Sequence, residues 1–390
     1  MISVQHNLLS MKNIVLLIIS VTVVSTLFAQ DKQDEVISSI NQHLDQVLGK
    51  ENIHNVYLSI YSPSKKFEWH TARGEFKDGR KVTIQHPFYT ASIGKTFTAT
   101  AIGILVDQGK IHFDDPIANY LSEDIMVGLH ILNDVDYGDS IQVSHLLQHT
   151  SGLPDYFGEP IDGTPGIFEI IITDTNRLWE PEALIAFSKD HFKPLFAPGT
   201  GYYYTDTEYV LLGLIIEEVS GLKLHEFFEH YIFNPLDMKH TYLNQRSAPL
   251  QPTPGMAEMY AGEYEIGSFS SLSADWAGGA IVSSGKDLIN FQMALIVGKL
   301  VSDTIYKAMQ QWVPETKGMA YGYGLRKIVF NELSSELPEL EIIGHSGANG
   351  SSMYYCPEMD IYLSGTLNQL EASKEAVIML AEVLKLCQQL

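Results

Sequence analysis

The chain has 390 residues, of which 45% are hydrophobic and 18% are charged, and its formal net charge is −22. This composition supplies ample material for a globular core, and ~100–200 residues per domain would give two structural units, tandem or interleaved. The acidic balance argues against nucleic acid and anionic membrane surfaces as partners, because both attract clustered Lys and Arg. The acidity itself indicates no more than a soluble protein.

The first thirty residues predict export. Met11-Lys12-Asn13 leads into an uncharged apolar run over residues 14–28, and Ala29 precedes a polar segment. A short basic start, ~7–15 apolar residues and a small residue before the polar start are typical of a secretory signal peptide. We expect residues 1–29 to be the signal peptide and the mature protein to be periplasmic or secreted, without stable membrane insertion. A retained anchor is the alternative, although a spanning helix usually needs ~18 or more apolar residues.

The mature chain opens with an amphipathic pattern. Apolar residues recur at helical spacing over residues 35–50, which predicts a helix. Alternation over residues 56–61 then predicts a strand, and residues 67–71 are its expected hairpin partner beyond a turn.

The middle of the chain favours helices. Residues 96–106 carry no charge, and apolarity on all sides predicts a buried helix. Further helical patterns cover residues 143–148, 181–190, 207–219 and 287–297.

Strand patterns return near the C-terminus. Residues 353–355 and 361–363 flank a turn-like segment, and residues 373–390 form a closing amphipathic pattern. Strands at both ends with helices between them predict one sheet built from both ends of the chain, with a mainly helical region, roughly residues 100–265, inserted in it.

Ser-x-x-Lys is the first pattern with a chemical meaning, because residues three apart share one face of a helix and the lysine can reach the serine hydroxyl. Its four occurrences are Ser62/Lys65, Ser92/Lys95, Ser220/Lys223 and Ser283/Lys286. The first lies in a predicted hairpin turn, and the third lies at a predicted helix end. In the fourth, Ser283 or Ser284 suits a helix N-cap and the lysine should face water.

Among the four pairs, Lys95 is the lysine whose predicted surroundings require an interaction partner. Lys95 enters the uncharged helix and should be at least partly buried, which lowers the pKa of a lysine and suits proton transfer. Ser92 at the helix N-terminus would gain up to ~1–2 kcal/mol for a developing negative charge.

Two later polar clusters are candidate partners. Tyr204 and Asp206 precede an apolar run, where they are either a loop with a helix cap or a phenol and a carboxylate beside the nucleophile. His345 ends an apolar strand at a glycine-rich edge, which can offer a backbone N–H to an oxyanion. A half-buried structural histidine is the alternative there.

Six sequence segments resemble, in the same order, the serine hydrolases related to class C β-lactamases and D-alanyl-D-alanine carboxypeptidases. These segments are 88–95 (FYTASIGK), 149–154 (HTSGLP), 198–200 (PGT), 204–206 (YTD), 276–280 (WAGGA) and 345–347 (HSG). The resemblance covers nearly all of the mature chain. It implies one β-lactamase-like domain over residues 30–390, an α/β (α+β) fold with an antiparallel sheet flanked by helices, and no cofactor.

The resemblance also implies roles for individual residues. Ser92 corresponds to the acylated nucleophile, Lys95 to its proton-transfer partner, and Tyr204 to the general base that later acts as acid. His345, Ser346 and Gly347 correspond to the third motif on the edge strand, where many relatives have Lys-Thr-Gly. The backbone N–H groups of Ser92 and Ala348 would form the oxyanion hole.

Two positions depart from the family pattern. Asp206 replaces an Asn, so it accepts rather than donates a hydrogen bond and favours protonated Lys95 and an amine-bearing substrate. His345 replaces a Lys, and a neutral imidazole holds a carboxylate less firmly.

The resulting prediction is a serine hydrolase that forms an acyl-enzyme at Ser92 on D-amino-acid peptides or small esters and amides. The alternative is a penicillin-binding sensor or binding module with little or no turnover. The only cysteines, Cys356 and Cys387, suggest neither a disulfide framework nor a metal site and are expected to be small buried side chains. The sequence leaves the oligomeric state open.

Overall fold

The computed structural model describes residues 31–390. The signal peptide predicted over residues 1–29 lies outside the described residues. Within residues 31–390, no helix combines the length and the apolar character needed to cross a membrane.

Strands occur at both ends of the described chain and in short pieces between them. They are β1 (Asn55–Ser62), β2 (Phe67–Gly74), β3 (Phe88–Tyr89), β4 (Ile131–Leu132), β5 (Val135–Asp136), β6 (Tyr242–Leu243), β7 (Tyr260–Ala261), β8 (Tyr264–Glu265), β9 (Ile281–Ser283), β10 (Val313–Thr316), β11 (Met319–Tyr321), β12 (Arg326–Val329), β13 (Glu341–Ser346), β14 (Ser352–Cys356) and β15 (Ile361–Thr366).

Helices occur at both ends of the described chain and throughout its middle. They are α1 (31–48), α2 (Gly94–Asp107), α3 (Glu123–Met126), α4 (Val143–Leu147), α5 (Ile167–Thr173), α6 (Pro181–His191), α7 (Asp206–Ser220), α8 (Leu224–Phe228), α9 (Trp276–Gly279), α10 (Gly285–Ile296), α11 (Asp303–Met309), α12 (Phe330–Leu333) and α13 (Ser373–Cys387).

Eight strands form one antiparallel sheet in the order β10-β11-β12-β13-β14-β15-β1-β2. The C-terminal strand β15 pairs with the N-terminal strand β1, so both ends of the chain build the sheet, as the sequence predicts. The predicted α/β architecture, an antiparallel sheet flanked by helices, is confirmed. A smaller sheet of β3, β9 and β6 lies where the chain turns towards α2.

The two faces of the large sheet bury two apolar clusters, as the alternation in β1 requires. Leu58 points towards α1 and α13, where Ile40 and Leu380 are fully buried. Tyr57, its neighbour in the strand, points to the opposite face and joins the larger cluster around α2 and α7. The helices therefore cover both faces, and the larger cluster holds α2 and α7 in position.

Helix α2 carries no charge between Lys95 and Asp107 and is buried along almost its whole length. Its buried hydroxyls are satisfied by main-chain oxygens: Thr96 donates to Gly324 O at 2.7 Å and Thr98 to Ala277 O at 2.7 Å. Buried polar groups need such partners, so these two bonds fix α2 relative to the strands and to α9.

The structure confirms the main predicted elements, including the hairpin β1–β2, helices α2, α6, α7 and α10, and the closing elements β14, β15 and α13. Cys356 and Cys387 are buried free thiols, as expected. The strands β10, β11 and β12 went unpredicted, because segments of three or four residues are too short to show a period of two.

Gly94, at the start of α2, provides a test of this packing. A Cβ on Gly94 would lie 2.9 Å from the Cα of Gly279 in α9 and 3.0 Å from its nitrogen. We expect Gly94→Ala to lower the free energy of unfolding by about 1–3 kcal/mol, because backbone atoms must move apart. Urea unfolding measures the change. Gly49→Ala is the matched control, since a Cβ there makes only 3.5 Å contacts; an equal loss in both variants would contradict the account.

Candidate active site

Ser92 lies on a tight turn between β3 and α2. The turn is a short 3₁₀ helix, Ala91–Ile93, and Ala91 has φ of 45°, a left-handed conformation that is uncommon for a residue with a Cβ. Ala91 and Ile93 are buried, whereas Ser92 is partly exposed. The turn therefore presents the Ser92 hydroxyl to solvent at the entrance of a buried helix.

Lys95 lies one helical turn further along, and its side chain is fully buried. Its Nζ donates to Ser92 Oγ at 3.3 Å, to Asp206 Oδ1 at 2.5 Å and to Gly278 O at 3.2 Å. Burial alone would lower the pKa of Lys95, but the Asp206 carboxylate and the Tyr204 phenol raise the pKa above its ordinary value. Asp206 therefore favours the ammonium form of Lys95 and reverses the lowered pKa that burial alone leads us to expect.

Tyr204 ends the loop that leads into α7. Its side chain lines the same cleft as Ser92, and the centre of its ring lies 4.9 Å from Lys95 Nζ. Burial raises the pKa of Tyr204, and Asp206 adds to this, while the cations Lys95 and Arg326 oppose it. The net shift favours the protonated form of Tyr204 in the unliganded site.

Asp206 is the first residue of α7, and its side chain is 14% exposed. The helix cap itself is Thr205, whose Oγ1 accepts the N–H of Thr207 at 3.1 Å. The loop thus has both of the roles that the sequence left open: Thr205 caps the helix while Tyr204 and Asp206 lie beside Ser92.

Two further carboxyl groups lie close to Asp206. Asp155 Oδ1 accepts the N–H of Asp206 at 3.1 Å, and Asp275 Oδ2 accepts the hydroxyl of Tyr89 at 2.8 Å. Burial and the charge of Asp206 raise the pKa of Asp155 to about 7 and that of Asp275 to about 6. These carboxyl groups can therefore gain or lose a proton near neutral pH.

The glycine-rich edge after β13 packs directly on the turn before Ser92. Asn349 Nδ2 donates to Tyr89 O at 2.7 Å, and Ser351 Oγ donates to Thr90 O at 2.6 Å. A Cβ on Gly347 would lie 2.6 Å from Thr90 O, so only glycine allows this approach. The exposed Ala348 is thereby held at the same cleft as Ser92.

His345 has a different environment from Ser346. The His345 ring is fully buried, its Nε2 is 2.9 Å from the Tyr321 hydroxyl, and its Nδ1 is 2.8 Å from Ser346 O. Burial and the nearby cations Arg326 and Lys95 hold the pKa of His345 well below its usual range. The buried His345 ring packs on the opposite side of the strand, whereas Ser346 and Gly347 line the cleft.

Arg326, on β12, is a cleft residue that sequence reasoning missed. Its guanidinium forms two 2.7 Å bonds to Glu315, approaches Ser346 Oγ at 3.4 Å and lies 5.3 Å from the centre of the Tyr204 ring. The sequence signal was only a lone arginine at the start of a strand of four residues. Its partner Glu315 lies on the adjacent β10–β11 hairpin, so their pairing follows from the sheet order.

Two cavities meet at Ser92, Tyr204 and Ala348. The first has a volume of about 550 Å³ and combines apolar walls with the carboxyl groups of Asp206 and Asp275. The second has a volume of about 890 Å³ and reaches Arg326, Ser346 and Lys374. The second cavity is also lined by Glu336, so a ligand that spans Ser92 would meet acidic groups on one side and groups of both charges on the other.

The rival Ser-x-x-Lys pairs have structural roles. Ser284 caps α10 by accepting the N–H of Asp287 at 3.1 Å, and the Lys286 side chain is 65% exposed, as predicted. Ser220 ends α7 before Gly221, which has φ of 71°.

Comparison with protein families gives one match that spans most of the chain. The family model described as Beta-lactamase matches residues 40–387. The chain belongs to the Beta-lactamase family. The following comparisons indicate which members it resembles.

Two curated relatives illustrate the range of the family. The chain is 26% identical over 323 residues to penicillin-binding protein 4* of Bacillus subtilis (strain 168), an alignment that covers 78% of this chain and 65% of the relative. It is 29% identical over 192 residues to a putative D-alanyl-D-alanine carboxypeptidase of Escherichia coli O157:H7, which covers 48% of this chain and 40% of the relative. The chain thus spans less than two thirds of the length of these relatives.

Solved structures of similar fold cover both chains almost completely. A D-stereospecific amidohydrolase from Streptomyces sp. has a TM-score of 0.70 and 27% identity, and the alignment covers 85% of this chain and 94% of that one. The D-amino acid amidase from Ochrobactrum anthropi SV3 has a TM-score of 0.72 and 24% identity, with coverage of 90% and 98%. At that identity the second likeness concerns the fold alone.

The raised pKa of Asp155 predicts a pH dependence of stability. A carboxyl group whose pKa is raised to about 7 stabilises the folded protein fully at low pH, and this stabilisation is lost as the pH rises from about 4 to about 7. We expect the free energy of unfolding of Asp155→Asn, relative to the original protein, to increase between pH 4 and pH 7. Asn keeps an oxygen to accept the Asp206 N–H.

Denaturant unfolding at several pH values measures this difference. Asp78→Asn is the control: hydrogen bonds from Arg80 hold the pKa of Asp78 below its usual value, so its removal should leave the stability slope between pH 5 and pH 7 unchanged. A difference between Asp155→Asn and the original protein that stays constant with pH would contradict the assignment.

Proposed function

We propose that the protein is a serine hydrolase that forms an acyl-enzyme at Ser92. The observation that carries this proposal is the position of the Ser92 hydroxyl, which is 3.3 Å from Lys95 Nζ in a cleft that Tyr204 also lines. A serine becomes a useful nucleophile when a neighbouring group takes its proton and donors stabilise the oxyanion. These groups surround one partly exposed hydroxyl in a cleft.

Tyr204 is the proposed general base. Because Asp206 keeps Lys95 protonated, Lys95 supplies positive charge rather than a free amine. Tyr204 acts as base in its phenolate form, after it has given its own proton to solvent. Lys95 and Arg326 lower the pKa of Tyr204 against the effect of burial, so they stabilise this phenolate, which takes the Ser92 proton. Tyr204 then returns this proton to the leaving group, and a water molecule hydrolyses the ester at Ser92.

The backbone N–H groups of Ser92 and Ala348 are the proposed oxyanion hole. Gly347 permits the close approach of this edge to the Ser92 turn, and the bonds from Asn349 and Ser351 hold it there. A preorganised pair of donors stabilises a tetrahedral oxyanion by several kcal/mol in such enzymes, roughly 10²–10³-fold in rate for one donor.

The proposed substrates are D-amino-acid peptides or small amides and esters that carry a free amine. The D-stereospecific amidohydrolase similarity supports the stereochemical preference. The charge of Asp206 raises the pKa of both Lys95 and Tyr204. An ammonium group bound beside Asp206 would offset that charge and make Tyr204 easier to deprotonate, so such a substrate would help to activate its own hydrolysis.

We also propose that the protein acts outside the cytoplasm, on the basis of the predicted signal peptide.

The alternative of a penicillin-binding sensor with little turnover is favoured by one feature: the Lys95–Asp206 pair keeps the lysine protonated before a ligand binds. Steady hydrolysis by the purified protein distinguishes the two functions.

Ser92→Ala tests the nucleophile. We expect labelling by a fluorophosphonate or a fluorescent penicillin to be abolished, because the atom that forms the covalent bond is removed. Gel fluorescence and intact mass measure the label. Ser220→Ala, in another Ser-x-x-Lys segment, is the matched control and should label normally. Continued labelling of a folded Ser92→Ala protein would reject the proposal.

Asp206→Asn tests the preference for an amine. We expect the original protein to hydrolyse D-phenylalanine amide roughly 10–100-fold better than its N-acetylated form, as a charge-assisted hydrogen bond of about 1.5–3 kcal/mol provides. In Asp206→Asn this ratio of kcat/KM should fall towards one, whatever happens to the absolute rate.

The ratio is measured by release of ammonia from both substrates. Asp162→Asn removes a surface carboxylate that pairs with His191 and should leave the ratio unchanged. An undiminished preference in Asp206→Asn would show that another group recognises the amine.

A further inference from the structure

The segment 149–155 supports the loop that carries Tyr204. The main chain of His149 accepts the N–H of Tyr203 at 2.9 Å, and that of Thr150 accepts the N–H of Gly199 at 2.8 Å. Pro154 O accepts the hydroxyls of Thr205 at 3.0 Å and Thr207 at 2.7 Å. Tyr204 is thus held on both sides by bonds to one segment.

Within the segment 149–155, His149 is the residue whose side chain packs against Tyr204. The ring is fully buried, with its centroid 4.3 Å from that of Tyr204 and 4.6 Å from that of Tyr321. Its main chain has φ of 61°, a left-handed conformation that a protein retains only when surrounding contacts enforce it. His149 lines neither of the two cavities at Ser92.

Glu208 fixes the orientation of the ring. Its Oε2 is 2.5 Å from His149 Nδ1, while its Oε1 accepts the N–H of Ser151 at 3.1 Å and the hydroxyl of Ser151 at 2.5 Å. Glu208 lies on α7, two residues after Asp206. The same helix terminus therefore carries Asp206 and anchors the ring that packs against Tyr204.

The buried pair avoids adding a charge beside the catalytic groups. Burial raises the pKa of Glu208 well above its usual range. Burial, with the charges of Lys95, His345 and Arg326, holds the pKa of His149 well below its usual range. Both shifts favour uncharged forms, so the pair can hold Tyr204 without creating an uncompensated ion in the interior.

We propose that His149 is a positioning residue: anchored through Nδ1 to Glu208, its ring holds the Tyr204 phenol in the orientation that reaches Ser92. This inference rests on the proposed function, since it assigns a role in the chemistry that Tyr204 performs. A purely structural role would instead be limited to the stability of the buried cluster.

The test compares His149→Ala, His149→Phe and Glu208→Gln in the full chain, with an amide substrate and a fluorophosphonate. We expect kcat to fall about 10²-fold in His149→Ala with little change in KM, because the phenol loses its support while neither cavity is altered. His149→Phe retains a ring and should recover part of kcat. Glu208→Gln retains an oxygen for Ser151 and a donor for Nδ1 and should stay within a few fold of the original protein.

Two comparisons separate positioning from stability. His86→Ala removes another buried histidine, one that bonds Thr83 and packs on Phe76, and should lower the melting temperature without changing kcat. In a Tyr204→Phe background, His149→Ala should cause little further loss, since residues that act through one another are not additive.

Several results would overturn the proposal. These are a kcat of His149→Ala equal to that of the original protein, a loss that appears only in KM, or an undiminished further loss in the Tyr204→Phe background. If His149→Ala fails to fold, Glu208→Ala against Glu208→Gln gives the same comparison. Failure of the proposed function is distinguished because the original protein itself would then show no turnover and no labelling at Ser92.

Discussion

The ion pair between Lys95 and Asp206 is the interaction on which the rest of the site depends. Lys95 is fully buried in an otherwise uncharged stretch of α2, and an isolated ammonium there would be very costly. Asp206, at 2.5 Å, compensates the charge and joins the start of α7 to the start of α2. That pairing brings the Tyr204 loop to Ser92. Helix α9 completes the arrangement through Gly278 O.

The Lys95–Asp206 pair also bears on which residue can act as the general base. In the proposed mechanism a lysine kept as an ammonium cannot accept the Ser92 proton, so the base is the phenolate that Tyr204 forms when it gives its own proton to solvent. The same carboxylate that keeps Lys95 protonated raises the pKa of Tyr204, which leaves the unliganded site poorly activated. Binding of a cation near Asp206 offsets this effect. In the proposed mechanism, recognition of an amine-bearing substrate and activation of the nucleophile are then one electrostatic event rather than two.

Much of this site could be predicted from local sequence. The uncharged helix showed that Lys95 needed a partner, and the order of the Tyr204 and His345 clusters matched a known family. What the sequence could not provide depends on the sheet order: Arg326 reaches the cleft only because the short strand β12 lies beside β13. The buried orientation of His345, opposite to that of Ser346, follows from the register of β13. The contact between His149 and Glu208 likewise joins segments about sixty residues apart.

Measurement of the protonation state of Lys95 tests directly whether Asp206 keeps this lysine charged. Lysine side chains enriched in ¹³C and ¹⁵N can be titrated by NMR, with the Lys95 signal assigned by its loss in Lys95→Arg. The account predicts that Lys95 stays an ammonium through neutral pH and up to its ordinary pKa of ~10.4. Deprotonation of Lys95 near neutral pH would contradict it, because Lys95 itself would then be available as the base.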